Sequence, residues 1–144
     1  MAKYVKSTIR SIGGQASFVA RADSGHWSVI DTDPDDGGAG AASGPMEMVL
    51  NALGCCSGID ILLILKKRRT QVDTFEINIS AERTDEHPRV FTKVHLEYIL
   101  TGPKLKRSDI EKAIQLSIDK YCSVAGMVKQ TAEITTSFEI AESA

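Results

Sequence analysis

The chain has 144 residues, enough for a single domain with its own hydrophobic core and no need of disulfide staples. Hydrophobic residues make up 42% and charged residues 25%, ordinary globular usage that excludes the disordered, collagen-like and low-complexity classes. A formal net charge of −2 excludes a general electrostatic pull toward nucleic acid, and three cysteines without a CxxC pair exclude a disulfide framework and a zinc ribbon.

The first residues, MAKYVKSTIR, carry positive charge but no apolar h-region or small-residue cleavage site. The expected compartment is therefore the cytoplasm, where thiols stay reduced. Residues 3 to 11 and 15 to 21 are β-prone runs flanking Gly13-Gly14, a turn signal, and Trp27 to Ile30 offers a third short strand. From Asp31 to Gly44 the sequence DTDPDDGGAGAASG has almost no side chain to bury and is expected to be a loop. Pro45 then occupies the first position of a helix, with Glu47 in the first turn complementing the helix dipole.

That helix is apolar on nearly every side, from Met46 to Leu65, and ends in Lys66, Lys67, Arg68 and Arg69. The pattern has the length of a membrane span, but Glu47, Asn51, Ser57 and Asp60 lie inside it and each would be costly in lipid. A buried helix is expected instead, with no membrane partner. One small sheet covers only one side of such a helix, so the other side is expected to pack on a second copy in a two-fold homodimer. The basic run reads as a solvated last turn.

After the helix, FEINISAE and VHLEYIL alternate as strands with one buried face, joined by TDEHPRV. Ser108 with Glu111 has the spacing of a capping box and predicts a second helix through about Tyr121, with Ile110, Ala113, Ile114, Ser117 and Ile118 on one side. Cys122 closes it, Ser123 caps a short turn through Lys129, and EITTSFEI ends the chain as a strand. With no linker and no internal repeat, residues 1–144 are expected to form one domain, of α+β class with antiparallel sheets.

Candidate chemistry centres on Cys55 and Cys56 in the first helix. A cysteine among aliphatic residues is ordinarily an inert small hydrophobe, because burial disfavours the reactive thiolate. Adjacent helical residues point about 100° apart and are poorly placed to bridge one another, so a partner must be distant. Cys122 is the candidate, at a helix end beside the start of another, where backbone N–H groups favour a thiolate. Asp60, four residues after Cys56 on the same face, is a candidate hydrogen-bonding group in such a site, though as an anion it hinders thiolate formation. Its alternative role is to answer a polar or basic group across an interface. His26, His87 and His95 lack metal-ligand spacing, and His95, between inward Val94 and Leu96, is expected to face outward.

GPMEMVLNALGCCSGIDILLILKKRR followed by KYCSVAGMV resembles the OsmC/Ohr superfamily of thiol-dependent peroxidases, and AERTDEHPRVFTKVHLEYILTG resembles its YhfA-like branch. The likeness covers essentially the whole chain. Cys56 lies eleven residues after Pro45, the family's spacing for its first cysteine, and Cys122-Ser123-Val124 resembles the motif of the second.

The resemblance implies an OsmC-like fold, an intertwined homodimer of sheets around long central helices with sites at the subunit interface. Cys56 would attack the O–O bond of a small hydrophobic hydroperoxide, and Cys122 would resolve the sulfenic acid to a disulfide reopened by a dithiol reductant. No metal or bound cofactor is implied. The chain departs from the family's peroxidases in two respects: residues 31 to 43 contain no arginine, and Met46 stands where they have a glutamate, with Glu47 one residue late. Arg21, Arg83 and Arg89 are the candidate replacements, from a strand or from the partner subunit. The alternative expectation is a dimeric binding module of the same fold that holds a small hydrophobic ligand at the interface, its cysteines not catalytic.

Overall fold

The structure, a computed structural model, describes residues 3 to 142. The chain forms two compact units, one up to Val49 and one from Leu50 onward.

The first unit is a meander of three antiparallel strands, β1 (Ser7–Ser11), β2 (Phe18–Ala22) and β3 (Trp27–Ile30). Gly13 and Gly14 turn the first hairpin at φ 60° and 75°, a conformation that side chains other than glycine's adopt poorly. The loop that follows is organised by Asp31. Its buried carboxylate accepts from the Ser17 hydroxyl at 2.7 Å and from the N–H groups of Thr32, Ala39 and Ala41 at 2.8, 3.1 and 3.0 Å. Gly38 passes so close that a Cβ there would stand 2.2 Å from the Thr32 carbonyl oxygen and 2.5 Å from Asp31 Oδ1. A stretch with almost nothing to bury is ordered by one carboxylate satisfied from four directions.

The Ala41 N–H above all, then the Ser17 hydroxyl and the N–H groups of Thr32 and Ala39, hold the Asp31 carboxyl well below the usual carboxylate range. A depressed folded-state value stabilises the fold above the ordinary value near 3.8 and loses that contribution as pH falls below it. Thermal unfolding between about pH 7 and 3 is expected to show wild type losing stability steeply on the acid side, and Asp31→Asn starting lower and falling less. Parallel acid limbs for the two proteins would refute this role.

Helix α1 (Pro45–Lys67) begins at the proline, and Glu47 accepts from the Gly44 N–H at 2.9 Å, closing the helix start. In the second unit, β4 (Thr74–Arg83) pairs antiparallel with β5 (Phe91–Thr101), which pairs with β6 (Glu133–Ile140). The β5–β6 pair is parallel, so this sheet is mixed rather than wholly antiparallel as the strand alternation suggested. The helical crossover between them supplies the length that a parallel return requires. It consists of α2 (Arg107–Leu116), a π turn at Ser117–Tyr121 and α3 (Ser123–Val128).

Two expected caps differ. Helix α2 starts from Lys106 in extended conformation without a side-chain cap, so Ser108 lies inside its first turn. Cys122, not Ser123, caps α3, its Sγ accepting the Ala125 N–H at 3.3 Å.

Val94, Leu96, Tyr98 and Leu100 of β5, Ile110 and Ala113 of α2 and Leu53, Ile61 and Leu65 of α1 form the core of this unit. Glycines let α1 lie close on β4: a Cβ at Gly54 would stand 2.7 Å from Ile79 Cδ1, and one at Gly58 2.9 Å from Ile77 Cδ1. Helix α1 is long and apolar enough to cross a membrane by length and composition, yet Ser57 and Asp60 within it take part in hydrogen bonds to other elements. On its uncovered side Ile59, Leu62 and Leu63 are 60%, 41% and 53% exposed.

Candidate functional site

Cys56, half-buried on α1, and Cys122, buried between the π turn and α3, come close enough for their thiols to interact. The sheet and the crossover bring them together from distant parts of the chain. Cys55 faces elsewhere: it is exposed and lines an apolar groove of about 590 Å³ between α1 and β4, with Gly54, Gly58, Ile59, Leu62 and Ile77 among the lining residues. Neighbouring positions on one helix point to different surroundings, as the 100° step requires.

Next to the pair lies a polar cluster inside the core. Ser57, Tyr98 and Ser117 are fully buried. Tyr98 Oη is 2.6 Å from Ser57 Oγ, and Ser117 Oγ lies 3.1 Å from Ser57 Oγ, 3.4 Å from the Ser57 carbonyl and 3.0 Å from Asp60 Oδ2. A hydroxyl has one proton to give, and among these acceptors the carboxylate takes it most strongly. The side chains of the cluster are all satisfied, as a buried network must be.

Burial pushes the Tyr98 phenol up to about 12; the hydrogen bond with Ser57 opposes this, while Cys122 and Asp60 add to it. Tyr98 is thus a neutral phenol at physiological pH and available as a donor to Ser57. Burial likewise raises the Cys122 thiol to about 11, opposed by the Ala125 N–H and reinforced by Cys56 and Asp60. The Ala125 N–H at the helix start does favour the Cys122 thiolate, as expected, but desolvation outweighs it. Near neutrality Cys122 is a thiol.

The other candidates separate. Glu47 is engaged with the Gly44 N–H. Asp60 lies with the cysteines, bonded to Ser117. Arg83 and Arg89 are occupied at the β4–β5 turn, Arg83 Nε donating to the Arg89 carbonyl and Arg89 Nε to the Asp85 carbonyl, and Arg21 stacks on Trp27. His95 faces outward, its ring nitrogens 2.7 and 2.9 Å from the Thr135 and Ser137 hydroxyls. No cluster of three or more His, Cys, Asp or Glu side chains with metal-binding geometry occurs among the described residues.

Sequence reasoning passed over Ser57, Tyr98 and Ser117. The signal was present: three hydroxyls at inward positions of three apolar elements need partners, and the economical solution is one another.

An OsmC-like protein family model matches residues 37–137, and the chain belongs to that family. Protein YhfA of Escherichia coli K12 is 42% identical over 124 residues, covering 86% of this chain and 90% of that protein. The crystal structure of a hypothetical protein from Aquifex aeolicus VF5 superposes with a TM-score of 0.84 at 28% identity, over 99% of this chain and all of that one. An organic hydroperoxide resistance protein OsmC from Legionella pneumophila shares the fold, with a TM-score of 0.72 at 13% identity over 97% of this chain and 99% of that one.

Proposed function

We propose that this protein is a two-cysteine hydroperoxide reductase. The observation that carries the reading is the proximity of Cys56 to Cys122, one thiol half-buried and the other buried and protonated. Cys56 attacks an organic hydroperoxide, so that RSH and R′OOH give RSOH and R′OH. Cys122 then condenses with that sulfenic acid, releasing water and forming the disulfide. A dithiol reductant returns both thiols by exchange and becomes a disulfide itself. The cycle belongs in the cytoplasm, where such reductants keep thiols reduced. Membership of a family that includes organic hydroperoxide resistance proteins supports the class.

The working unit of this proposal is a homodimer. Beside the strip of helix α1 that β4 covers, Ile59, Leu62 and Leu63 present an open apolar face, which a second copy would close.

Reduced protein titrated with stoichiometric cumene hydroperoxide is expected to lose two thiols per peroxide, with a mass decrease of two hydrogens. A second reading, a dimeric module that binds a small apolar ligand, is favoured by the charge beside the pair: Asp60 is an anion and disfavours a thiolate. Thiols that survive the titration at the rate of free cysteine would decide for the binding module.

A further inference from the structure

The approach of Cys56 to Cys122 and the hydrogen bond between Asp60 and Ser117 are two matched links between α1 and the crossover. On α1, Asp60 stands four residues after Cys56, about one turn along the same face. In the crossover, Ser117 stands five residues before Cys122, and the turn between them is a π turn. Asp60 meets Ser117 at 3.0 Å as Cys56 meets Cys122, two rungs one turn apart between antiparallel segments.

The π turn decides which residue occupies the second rung. Had the α-helix continued, the residue one turn beyond Ser117 would be Tyr121. The inserted residue puts Cys122 there instead: Cys122 is 4% exposed and Tyr121 50%. The backbone bonding follows. The Cys122 N–H, which an α turn would give to Ile118, donates to the Ser117 carbonyl at 2.8 Å, and the displaced Ile118 carbonyl is met by Lys129 Nζ. A π turn interrupts regular helix bonding and persists only where something else holds it. The group at its first residue is the Ser117 hydroxyl, tied to Asp60 in front and backed by Ser57 and Tyr98.

We propose that the Asp60–Ser117 hydrogen bond is a positioning device that holds the π turn in register on α1 and thereby keeps Cys122 within reach of Cys56. The proposal rests on the reading that these cysteines form a disulfide, and it assigns to Asp60 and Ser117 a part in closing that bond, outside contact with the peroxide. The charged carboxylate is retained beside the thiols because it is the strongest acceptor for the serine proton.

The test is a disulfide equilibrium in glutathione buffer, which needs no peroxide. Cys56 displaces one glutathione from glutathione disulfide, and Cys122 displaces the second, closing the protein disulfide and releasing two glutathione thiols. The disulfide-to-dithiol ratio, read by peptide mass after acid quenching, gives the closure constant. Ser117→Ala and Asp60→Ala are expected to lower it about tenfold, and Ser117→Thr, which keeps the hydroxyl, to stay within about twofold of wild type. Asp60→Asn keeps an acceptor without the charge and is expected between these values; it carries the test if the alanine variants do not fold. Val94→Ala, a buried change on β5, is expected to lower stability while leaving the closure constant unmoved.

Equal closure constants for wild type, Asp60→Asn and Ser117→Ala would overturn the positioning role and leave the peroxide reading standing. A wild type that forms no disulfide at any glutathione ratio would overturn both.

Discussion

Replacing Cys56 by serine is expected to reduce hydroperoxide turnover by at least about a thousandfold, the scale seen when a nucleophile is removed from an enzyme. Cys122→Ser is expected to behave differently, reacting once at near the wild-type rate, losing one thiol and leaving a sulfenic acid on Cys56 that a dione reagent can trap. The asymmetry follows from the surroundings of the two thiols. Cys122 is buried, and its thiol is raised to about 11, so it is a poor first nucleophile but lies beside the sulfur it must attack. Cys56 is half-buried, less enclosed than Cys122. Cys55→Ser is expected to keep the two-thiol stoichiometry, since Cys55 faces the groove rather than Cys122. Rapid two-thiol loss in Cys56→Ser would assign the chemistry to Cys55 and undo the role given to Cys56.

The second large effect concerns assembly. Ile59→Lys combined with Leu62→Lys is expected to convert a dimer in sedimentation experiments to monomer, weakening association by about a thousandfold or more. Full burial of an Ile or Leu side chain is worth about 1.5–3 kcal/mol, and a two-fold interface counts each substitution twice. Two such losses in each copy exceed the roughly 4 kcal/mol that a thousandfold change requires, before any penalty for bringing four ammonium groups into an apolar contact. These residues are exposed in the single chain, so the fold itself is expected to tolerate the change. A double variant that sediments as wild type, or a wild type that is monomeric, would refute the proposed interface.

The elements themselves were largely legible. Alternation in β4 and β5 places Val94, Leu96, Tyr98 and Leu100 on one face, and they are buried together. Pro45 opens α1 where a proline is tolerated, and Gly13-Gly14 marks the first hairpin. The same local reasoning failed at the caps. Ser108 and Ser123 have the right spacing for caps, but backbone conformation at Lys106 and the sulfur of Cys122 settled those ends differently. It also missed that β6 runs parallel to β5, because alternation reports which face a residue takes and carries no information on strand direction.

At the candidate site, sequence identified the two cysteines and the neighbouring Asp60 through helical spacing and the resemblance of their motifs. It could not identify the network that joins Asp60 to Ser117, Ser57 and Tyr98, since those side chains come from three elements whose contact depends on the packing of α1 and the crossover against β5.

By itself, then, the sequence of this protein determined its class, its strand and helix order and the positions of its cysteines on those elements, because periodicity, turn residues and motif spacing are properties of neighbours along the chain. The tertiary structure alone decided that Cys56 faces Cys122 while Cys55 does not, that Cys122 is a buried thiol, and that a π turn supplies the one-residue shift that aligns it. Those outcomes depend on desolvation and on contacts between distant segments, which exist only once the core has closed around them.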